Sequence, residues 1–282
     1  MDKFDFTRGT AVVTGAASGI GEQVAHALAR RGSALALVDR DAERLERVAQ
    51  AVRPVRGRPV TCYVTDLADD TATHVLAGKL AAAHPDTTLL INNAGVALGG
   101  TFEQVSEEEF DWLLAINLRA VITMTRAMLP VLRANPGSHL VNVSSLFGLI
   151  APAGQVAYAT SKFAVRGFTE ALRAELEGDV GVTVVHPGGI RTRIAETARV
   201  AAAVTAAERA AGKDSFARLL TYPPERAAEQ IVAAVESRRP RLLIGLSARV
   251  PDVLARAAPA RYPALLKMVQ GGHSRPGRRT PG

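Results

Sequence analysis

A tyrosine and a lysine four positions apart are the residues of this sequence best suited to move a proton. Tyr158 and Lys162 lie in a segment with helical periodicity, where residues i and i+4 share one face. An ammonium beside a phenol favours the phenolate, so we expect a lowered pKa for Tyr158. Ser145, at the end of an apolar run, brings a hydroxyl suited to hold the same substrate oxygen. These side chains predict general acid–base chemistry at an oxygen atom near neutral pH.

A glycine-rich turn near the N-terminus is the element expected to place a reaction partner beside these groups. It follows a strand-like run, residues 10–14, and leads into an Ala-rich periodic helix that Gly32 ends. Its spacing is G-x-x-x-G-x-G, without the Gly-Lys-Ser/Thr ending of a Walker loop. Bare backbone at this place lets a pyrophosphate approach the amide groups of a helix N-terminus. The predicted contacts are Gly15, Ser18, Gly19, Ile20 and Gly21.

The second strand-like run ends at an acidic residue, Asp39. It lies 18 residues beyond Gly21, near the ~20 residues expected for the acid that binds an adenosine ribose. A carboxylate there accepts hydrogen bonds from both ribose hydroxyls and repels a 2′-phosphate, which predicts NAD. Arg40 follows directly and favours a 2′-phosphate, so NADP stays open. Asp39 has a second interpretation, as the N-cap of the helix that starts at Ala42.

Taken together and in this order, the motifs resemble the classical short-chain dehydrogenase/reductase family over residues 7 to about 245. The matching motifs are the glycine-rich turn, Asp39, Asn92–Gly95, the set Ser145, Tyr158 and Lys162, and Pro187–Thr192. The resemblance implies an α/β fold, a doubly wound parallel sheet in a three-layer α-β-α (Rossmann) arrangement. It also implies hydride exchange between a nicotinamide and a carbonyl or alcohol carbon, with Tyr158 transferring the proton. Lys162 would lower the pKa of that phenol and bind the nicotinamide ribose.

The same resemblance adds residues that spacing alone does not identify. Asn117 would complete a catalytic tetrad by anchoring a water in a proton path; its alternative role is a core amide satisfied by backbone. Asn92 would brace the central sheet. Asp66 would contact the adenine, or else cap the helix over residues 69–83. The implied cofactor contacts beyond the glycine-rich turn and Asp39 are Asp66, Leu67, Asn93, Ala94, Gly95, Tyr158, Lys162, Pro187, Gly188, Ile190 and Thr192.

For the substrate, the resemblance implies a pocket beside the tyrosine and a lid over residues 190–222. The expected contacts are Ser145, Phe147, Gln155, Tyr158 and Gly189. Most candidate walls are apolar, which favours an apolar secondary alcohol or ketone, with an aldehyde and primary alcohol pair as the other option. The helices around residues 106–133 and 158–176 are the usual subunit interface of the family, so we expect a homodimer or homotetramer.

Composition and charge set limits on other functions. The 282 residues are 48% hydrophobic, enough for a sizeable core. The single cysteine, Cys62, permits no internal disulfide, and no secretory leader is evident, so we expect a cytoplasmic protein. No metal-ligand spacing is found. The net charge of +7 does not come from an evenly basic surface, which argues against nucleic-acid binding.

The basic charge is concentrated at the C-terminal end. Residues 236–282 carry ten Lys/Arg and two acids, a net charge of +8, and the rest of the chain is close to neutral. We divide the chain into a catalytic domain, 1–248, an amphipathic extension, 249–270, broken by Pro259 and Pro263, and a disordered basic tail, 271–282. Two alternative functions stay open: a catalytically silent dinucleotide-binding regulator or scaffold, and a peripheral membrane-binding module that uses the basic end.

Overall fold

Seven parallel strands form the centre of the protein. The computed structural model describes residues 2–53 and 56–264. The strands of the main sheet and of a second, two-stranded sheet are β1 (Thr10–Thr14), β2 (Ala34–Asp39), β3 (Val60–Val64), β4 (Thr87–Asn92), β5 (Leu98–Gly99), β6 (His139–Val143), β7 (Gly181–Pro187), β8 (Arg199–Val200) and β9 (Arg241–Ile244). The main sheet has the order β3-β2-β1-β4-β6-β7-β9. The order reverses between β1 and β4, and the carboxyl ends at that switch point form the crevice where such sheets bind ligands.

Helices cover both faces of this sheet. They are α1 (Gly19–Arg31), α2 (Ala42–Val52), α3 (Asp70–Ala83), α4 (Glu107–Leu114), α5 (Ala120–Ala134), α6 (Val156–Glu175), α7 (Ile194–Thr197), α8 (Ala206–Leu219), α9 (Pro224–Glu236) and α10 (Leu246–Ala257). Side chains of α1, α2 and α9 fill one core layer, and those of α3, α5 and α6 fill the other. The predicted doubly wound, three-layer arrangement is confirmed. The continuous apolar runs of the strands follow from burial on both faces.

The helix predicted over residues 106–133 is present, but its backbone changes at the middle. Ser106 and Glu109 form the capping box expected from the sequence. One π turn, Ala115–Arg119, separates α4 from α5 and contains Asn117. Taken as one helix, residues 107–134 are long and apolar enough to cross a membrane. Met124, Met128 and Leu132 nevertheless lie fully buried in the core beside α3 and β4, so this is a core helix.

The predicted helical lid contains a short strand that the sequence did not indicate. β8 joins α7 to α8 and pairs in parallel with β5, and the Arg199 amide donates to the Ala97 carbonyl at 3.0 Å. The Arg199 guanidinium stacks on Trp112, 3.7 Å from the ring centroid. These contacts fasten the middle of the lid to the body of the protein.

The C-terminal helix α10 begins before the predicted domain boundary at residue 248 and continues through Pro251. Asp252 holds it, because its carboxylate accepts from Arg241 of β9 at 2.6 Å and from Arg256 of α10 at 3.1 Å. Asp252 is buried, and two guanidinium partners compensate its desolvation. The tail predicted over residues 271–282, and the end of the extension from residue 265, lie outside the described residues.

Candidate active site

The residues predicted to transfer the proton lie on three elements that meet below one cleft. These elements are the segment after β6, the π turn that contains Asn117, and α6. Tyr158 and Lys162 lie on consecutive turns of α6, and the lysine Nζ is 5.8 Å from the centroid of the phenol ring. Both side chains are buried, with Tyr158 only 9% exposed. The ring of Phe147 meets the Tyr158 ring edge-on at 5.9 Å. Packing and the helix spacing together fix the phenol in one orientation.

The pKa of the phenol differs from the sequence-based expectation. Burial raises the pKa of Tyr158 above its ordinary value, while a hydrogen bond with Ser145 opposes that rise. The expected lowering by Lys162 is therefore wrong for this structure, because desolvation disfavours the phenolate more than nearby groups favour it. Burial also lowers the pKa of the Lys162 ammonium to about 8. Its Nζ donates to the Val143 carbonyl at 3.2 Å, which a neutral amine would also allow.

Replacement of Lys162, a buried residue predicted to be catalytic, should stabilise the protein. An unfolded lysine keeps its proton up to about pH 10.4, whereas Lys162 loses its proton near pH 8. The unfolded state therefore binds more protons between these values, and stability rises with pH in that window. Below pH 8 the folded protein pays the full cost of burying the charged lysine, which lowers the free energy of unfolding by about 3 kcal/mol.

We therefore expect Lys162→Met to raise the free energy of unfolding by about 1–3 kcal/mol at pH 7. Urea titrations of both proteins at pH 7 and pH 10 measure the difference, which should shrink at the higher pH. Lys79→Met, on the outer side of α3, is the control, and it should leave that pH dependence unchanged. A variant that is less stable than the parent at pH 7 would contradict the desolvation penalty.

Two adjacent serines follow β6 directly, and they make different contacts. Ser144 is buried, and its hydroxyl donates to the Lys162 carbonyl at 2.8 Å. The Ser145 hydroxyl accepts from the Phe147 amide at 3.1 Å and lies in the cleft near enough to Tyr158 to lower the pKa of the phenol. The structure thus places the hydroxyl of Ser145, rather than that of Ser144, beside the phenol.

His186 is a neighbour of this site whose contact the sequence did not predict. Its Nδ1 lies 3.0 Å from the carbonyl oxygen of Ser145, so Nδ1 carries the proton and donates. Burial lowers the pKa of His186 to about 4, which keeps the ring neutral near pH 7. The imidazole therefore holds the backbone of the serine in place. The sequence signal was a polar residue inside an apolar strand, directly before Pro187.

Asn117 lies beneath the cleft rather than on its wall. Its Oδ1 accepts from the Val96 amide at 2.8 Å, and its Nδ2 donates to the Val96 carbonyl at 3.0 Å and to Ser161 at 3.1 Å. This is the core amide satisfied by backbone that was the alternative for Asn117. A Cβ on Gly95 would come 3.1 Å from the Lys162 Nζ and 3.2 Å from the Asn117 Oδ1. Gly95 thus keeps the lysine and the amide close together.

The glycine-rich turn packs tightly against the end of β4. A Cβ on Gly21 would lie 2.0 Å from the Gly15 carbonyl oxygen, so only glycine fits there. Asn93 donates from Nδ2 to the carbonyls of Thr14 and Gly15 at 3.0 and 3.2 Å. Gly21 was predicted to contact the cofactor, but it is buried behind the turn and does not line the cleft. Its role in this structure is close packing that lets Gly15 face the cleft.

Asp39 stands at the end of β2, beside the turn. Its Oδ2 accepts from the Ala17 amide at 3.0 Å and its Oδ1 from the Asp41 amide at 3.1 Å. Each oxygen keeps a further lone pair for a ligand hydroxyl. The N-cap of α2 is Asp41, so the capping alternative for Asp39 is wrong. The guanidinium of Arg40 points toward Asp66, with 4.0 Å between Nη1 and Oδ2.

Asp66 was also assigned a possible capping role, and that alternative is wrong as well. Asp69 caps α3 and accepts from the Ala72 amide, whereas Asp66 accepts from the Ala68 amide at 3.0 Å. Asp66 and Leu67 therefore remain on the wall of the cleft at its Asp39 end.

At the opposite end, the loop after β7 approaches the glycine-rich turn. A Cβ on Gly19 would come 2.9 Å from the Thr192 Cγ2, so these two segments face each other across the cleft. A Cβ on Gly189 would lie 1.8 Å from the Leu219 carbonyl oxygen, which requires glycine beneath the lid. The remaining predicted residues that line this cleft are Ser18, Ile20, Ala94, Phe147, Gln155, Pro187, Gly188 and Ile190.

Apart from Gly21, Asn117 and His186, the predicted and neighbouring site residues named above border one continuous cleft of about 1640 Å³. This cleft suits a dinucleotide, because the glycine-rich turn can receive the pyrophosphate and Asp39 can accept hydrogen bonds from the adenosine ribose. The nicotinamide end would then lie beside Tyr158. In residues 2–53 and 56–264, no cluster of three His, Cys, Asp or Glu side chains is arranged to hold a metal ion.

A comparison with protein families agrees with this geometry. The family described as short chain dehydrogenase matches residues 9–203, which is more than half of the chain. The chain belongs to the short-chain dehydrogenase/reductase family. The matched range contains the glycine-rich turn, Asp39 and the Tyr158 and Lys162 pair.

Proteins similar to this member of the short-chain dehydrogenase/reductase family are found in mycobacteria. The oxidoreductase SadH of Mycobacterium tuberculosis is 38% identical over 266 residues, which cover 91% of this chain and 93% of that protein. The oxidoreductase EphD of Mycobacterium bovis is 35% identical over 263 residues, covering 88% of this chain and 44% of that protein. The family assignment and the oxidoreductase class are supported by the family match and by these relatives.

Solved structures of short-chain dehydrogenases/reductases have the same fold. One from Burkholderia phymatum, in complex with NAD, has a TM-score of 0.81 and 27% identity, covering 97% of this chain and 99% of that one. Another, from Sphingobium yanoikuyae in complex with NADPH, has a TM-score of 0.75 and 25% identity, covering 97% and 100%. Members of the family with this fold thus hold either nicotinamide dinucleotide.

Proposed function

We propose that this protein interconverts a secondary alcohol and a ketone by hydride exchange with a nicotinamide dinucleotide, and that Tyr158 is its general acid–base. The observation that supports the proposal is that Tyr158 and Ser145 border the same cleft as the glycine-rich turn and Asp39. One end of the cleft suits a ribose, and the other offers a hydroxyl and a phenol to a substrate oxygen. A bound nicotinamide would supply the acceptor or donor of the hydride.

Each residue around the substrate oxygen has a different proposed role. Ser145 orients that oxygen through its hydroxyl, and Tyr158 takes the alcohol proton during oxidation or returns it during reduction. Lys162, with its pKa lowered to about 8, supplies a cation beside the phenol when protonated. His186 keeps the Ser145 backbone in place from behind. Close packing by Phe147 excludes water from the ring of Tyr158.

A panel of secondary alcohols and ketones tests the reaction class. Each compound is supplied with NAD(H) and, separately, with NADP(H), and nicotinamide absorbance at 340 nm reports turnover. We expect oxidation of apolar secondary alcohols and reduction of the matching ketones. Tight nucleotide binding without turnover on any alcohol, ketone or aldehyde would support the silent-regulator alternative.

Asp39 is the basis for the proposal that NAD is preferred over NADP. Its two oxygens face the adenosine end of the cleft, where a 2′-phosphate would meet a carboxylate. We expect Asp39→Ala to weaken NAD binding about tenfold or more and to improve NADP binding beside Arg40. Titration of the reduced nucleotides, followed by nicotinamide fluorescence, measures both dissociation constants.

The control for that experiment is Asp69→Ala, which makes the same chemical change at the N-cap of α3, outside the cleft. It should cost about 1 kcal/mol of stability and leave both dissociation constants unchanged. An Asp39→Ala protein with the parental ratio of NAD to NADP affinity would overturn the assignment of the preferred nucleotide.

A further inference from the structure

Large exposed apolar side chains are concentrated at the mouth of the cleft. Of the nine such residues that the described ranges contain, five line this cleft: Val156, Phe163, Leu219, Leu246 and Val250. Scattered apolar side chains on a surface need no explanation, but a group around one opening marks a binding surface. The rim of the cleft thus exposes apolar side chains to water, which indicates that a ligand covers them.

The outer part of this rim is an ordered wall. Leu246 and Val250 lie one turn apart on α10, about 6 Å along its axis, and face the opening. Asp252 ties the helix to β9 through Arg241. After the helix, the Tyr262 hydroxyl accepts from the Ala151 amide at 3.0 Å and closes the wall against the loop that precedes α6.

From the reacting end outward, most side chains that line the cleft are apolar, with Gln155, Arg193, Thr197 and Ser247 among the exceptions. Tyr158 is buried at one end, and Leu246 at the other is 74% exposed. Between them lie further apolar side chains, including Phe147, Ile150 and Pro251. The carboxylates on the described cleft wall are Asp39, Asp41 and Asp66, and all three lie at the adenosine end. A polar or short substrate would leave most of this surface in contact with water.

We propose that the substrate is an extended apolar alcohol or ketone whose carbon skeleton reaches from Tyr158 to the rim at Leu246 and Val250. This inference rests on the proposed function for the reacting carbon, and it assigns α10 as the element that selects substrates by length. Each methylene that moves from water onto the apolar wall strengthens binding about threefold to fourfold. Specificity should therefore rise steeply with chain length and level off once the chain passes the rim.

A homologous series of methyl ketones, from 2-pentanone to 2-tridecanone, tests the inference at a fixed nucleotide concentration. We expect kcat/KM to rise at least tenfold across the series before it levels off. The double variant Leu246→Ser, Val250→Ser should reduce the long-to-short ratio of kcat/KM by tenfold or more. Val253→Ser is the matched control, because Val253 is exposed on α10 but does not line the cleft, and it should keep the parental ratio.

A binding measurement separates this inference from the reaction class. Isothermal titration of 2-alkanols into the Tyr158→Phe protein with NAD present gives a chain-length slope that needs no turnover. A steep slope in binding supports the extended pocket even if the ketone panel shows no activity. If neither kcat/KM nor the binding constant changed with chain length, the role assigned to the rim would be wrong. It would also be wrong if Val253→Ser reduced the long-to-short ratio of kcat/KM as much as the double variant does.

Discussion

Tyr158→Phe is expected to lower kcat about a thousandfold while the dissociation constant for NAD stays within twofold of the parental value. The phenol oxygen is the only group removed, and general acid–base catalysis contributes about 10²–10⁴ to a rate. Because the side chain is buried against Phe147, phenylalanine fills the same space and the fold should be retained. Single-turnover kinetics at saturating nucleotide measure the chemical step, and fluorescence titration measures binding.

The control for this loss is Tyr63→Phe, which removes a phenol oxygen outside the cleft. Its hydroxyl is 2.8 Å from the Nε2 of His84, so we expect a small loss of stability and unchanged turnover. If Tyr158→Phe kept more than about a tenth of the parental kcat, another group would have to carry the proton.

Gly21→Ala should abolish nucleotide binding. The added methyl would lie 2.0 Å from the Gly15 carbonyl oxygen and 2.5 Å from the Asn93 Nδ2. Neither atom can move freely, because Asn93 holds the carbonyls of Thr14 and Gly15. We expect a loss of about 3 kcal/mol of stability and at least a hundredfold weaker NAD binding, measured by urea unfolding and fluorescence titration.

Gly78→Ala makes the same chemical change where there is room for it. Gly78 lies within α3, and a Cβ there meets nothing within 4 Å. A helical alanine is more favourable than glycine, so this variant should gain about 0.5–1 kcal/mol and bind NAD normally. Parental affinity in Gly21→Ala would mean that the turn does not need close packing to present its amides.

Residues that act through local geometry were predictable from the sequence. The glycine-rich turn, the strand ends and the i and i+4 spacing of Tyr158 and Lys162 depend on short stretches of chain. Asn92 braces the sheet as expected, because its Nδ2 donates to Thr125 at 3.0 Å and to Asn142 at 2.9 Å. The doubly wound sheet was implied by the family resemblance that these motifs carry, and the structure confirms it.

Features that depend on the assembled tertiary structure were not predictable. β8 consists of two residues and exists only because β5 lies beside it, so no periodicity identifies it. The pKa of Tyr158 depends on how completely other elements cover the ring, and burial raises it more than Ser145 lowers it. The π turn at Asn117 and the contact of His186 with Ser145 likewise depend on residues distant in sequence.

The position of α10 along the chain has a consequence for how this protein could be re-engineered. The family match ends at residue 203, and it includes the side chains assigned to proton transfer and nucleotide binding. Leu219, Leu246, Val250 and Tyr262, which shape the opening, all come later. The residues assigned to the reaction thus lie within the matched range, and most of the rim follows it, with Val156 and Phe163 as rim residues inside the match. A graft of residues 204–264 from a relative should carry over a new size preference and leave the reaction centre untouched.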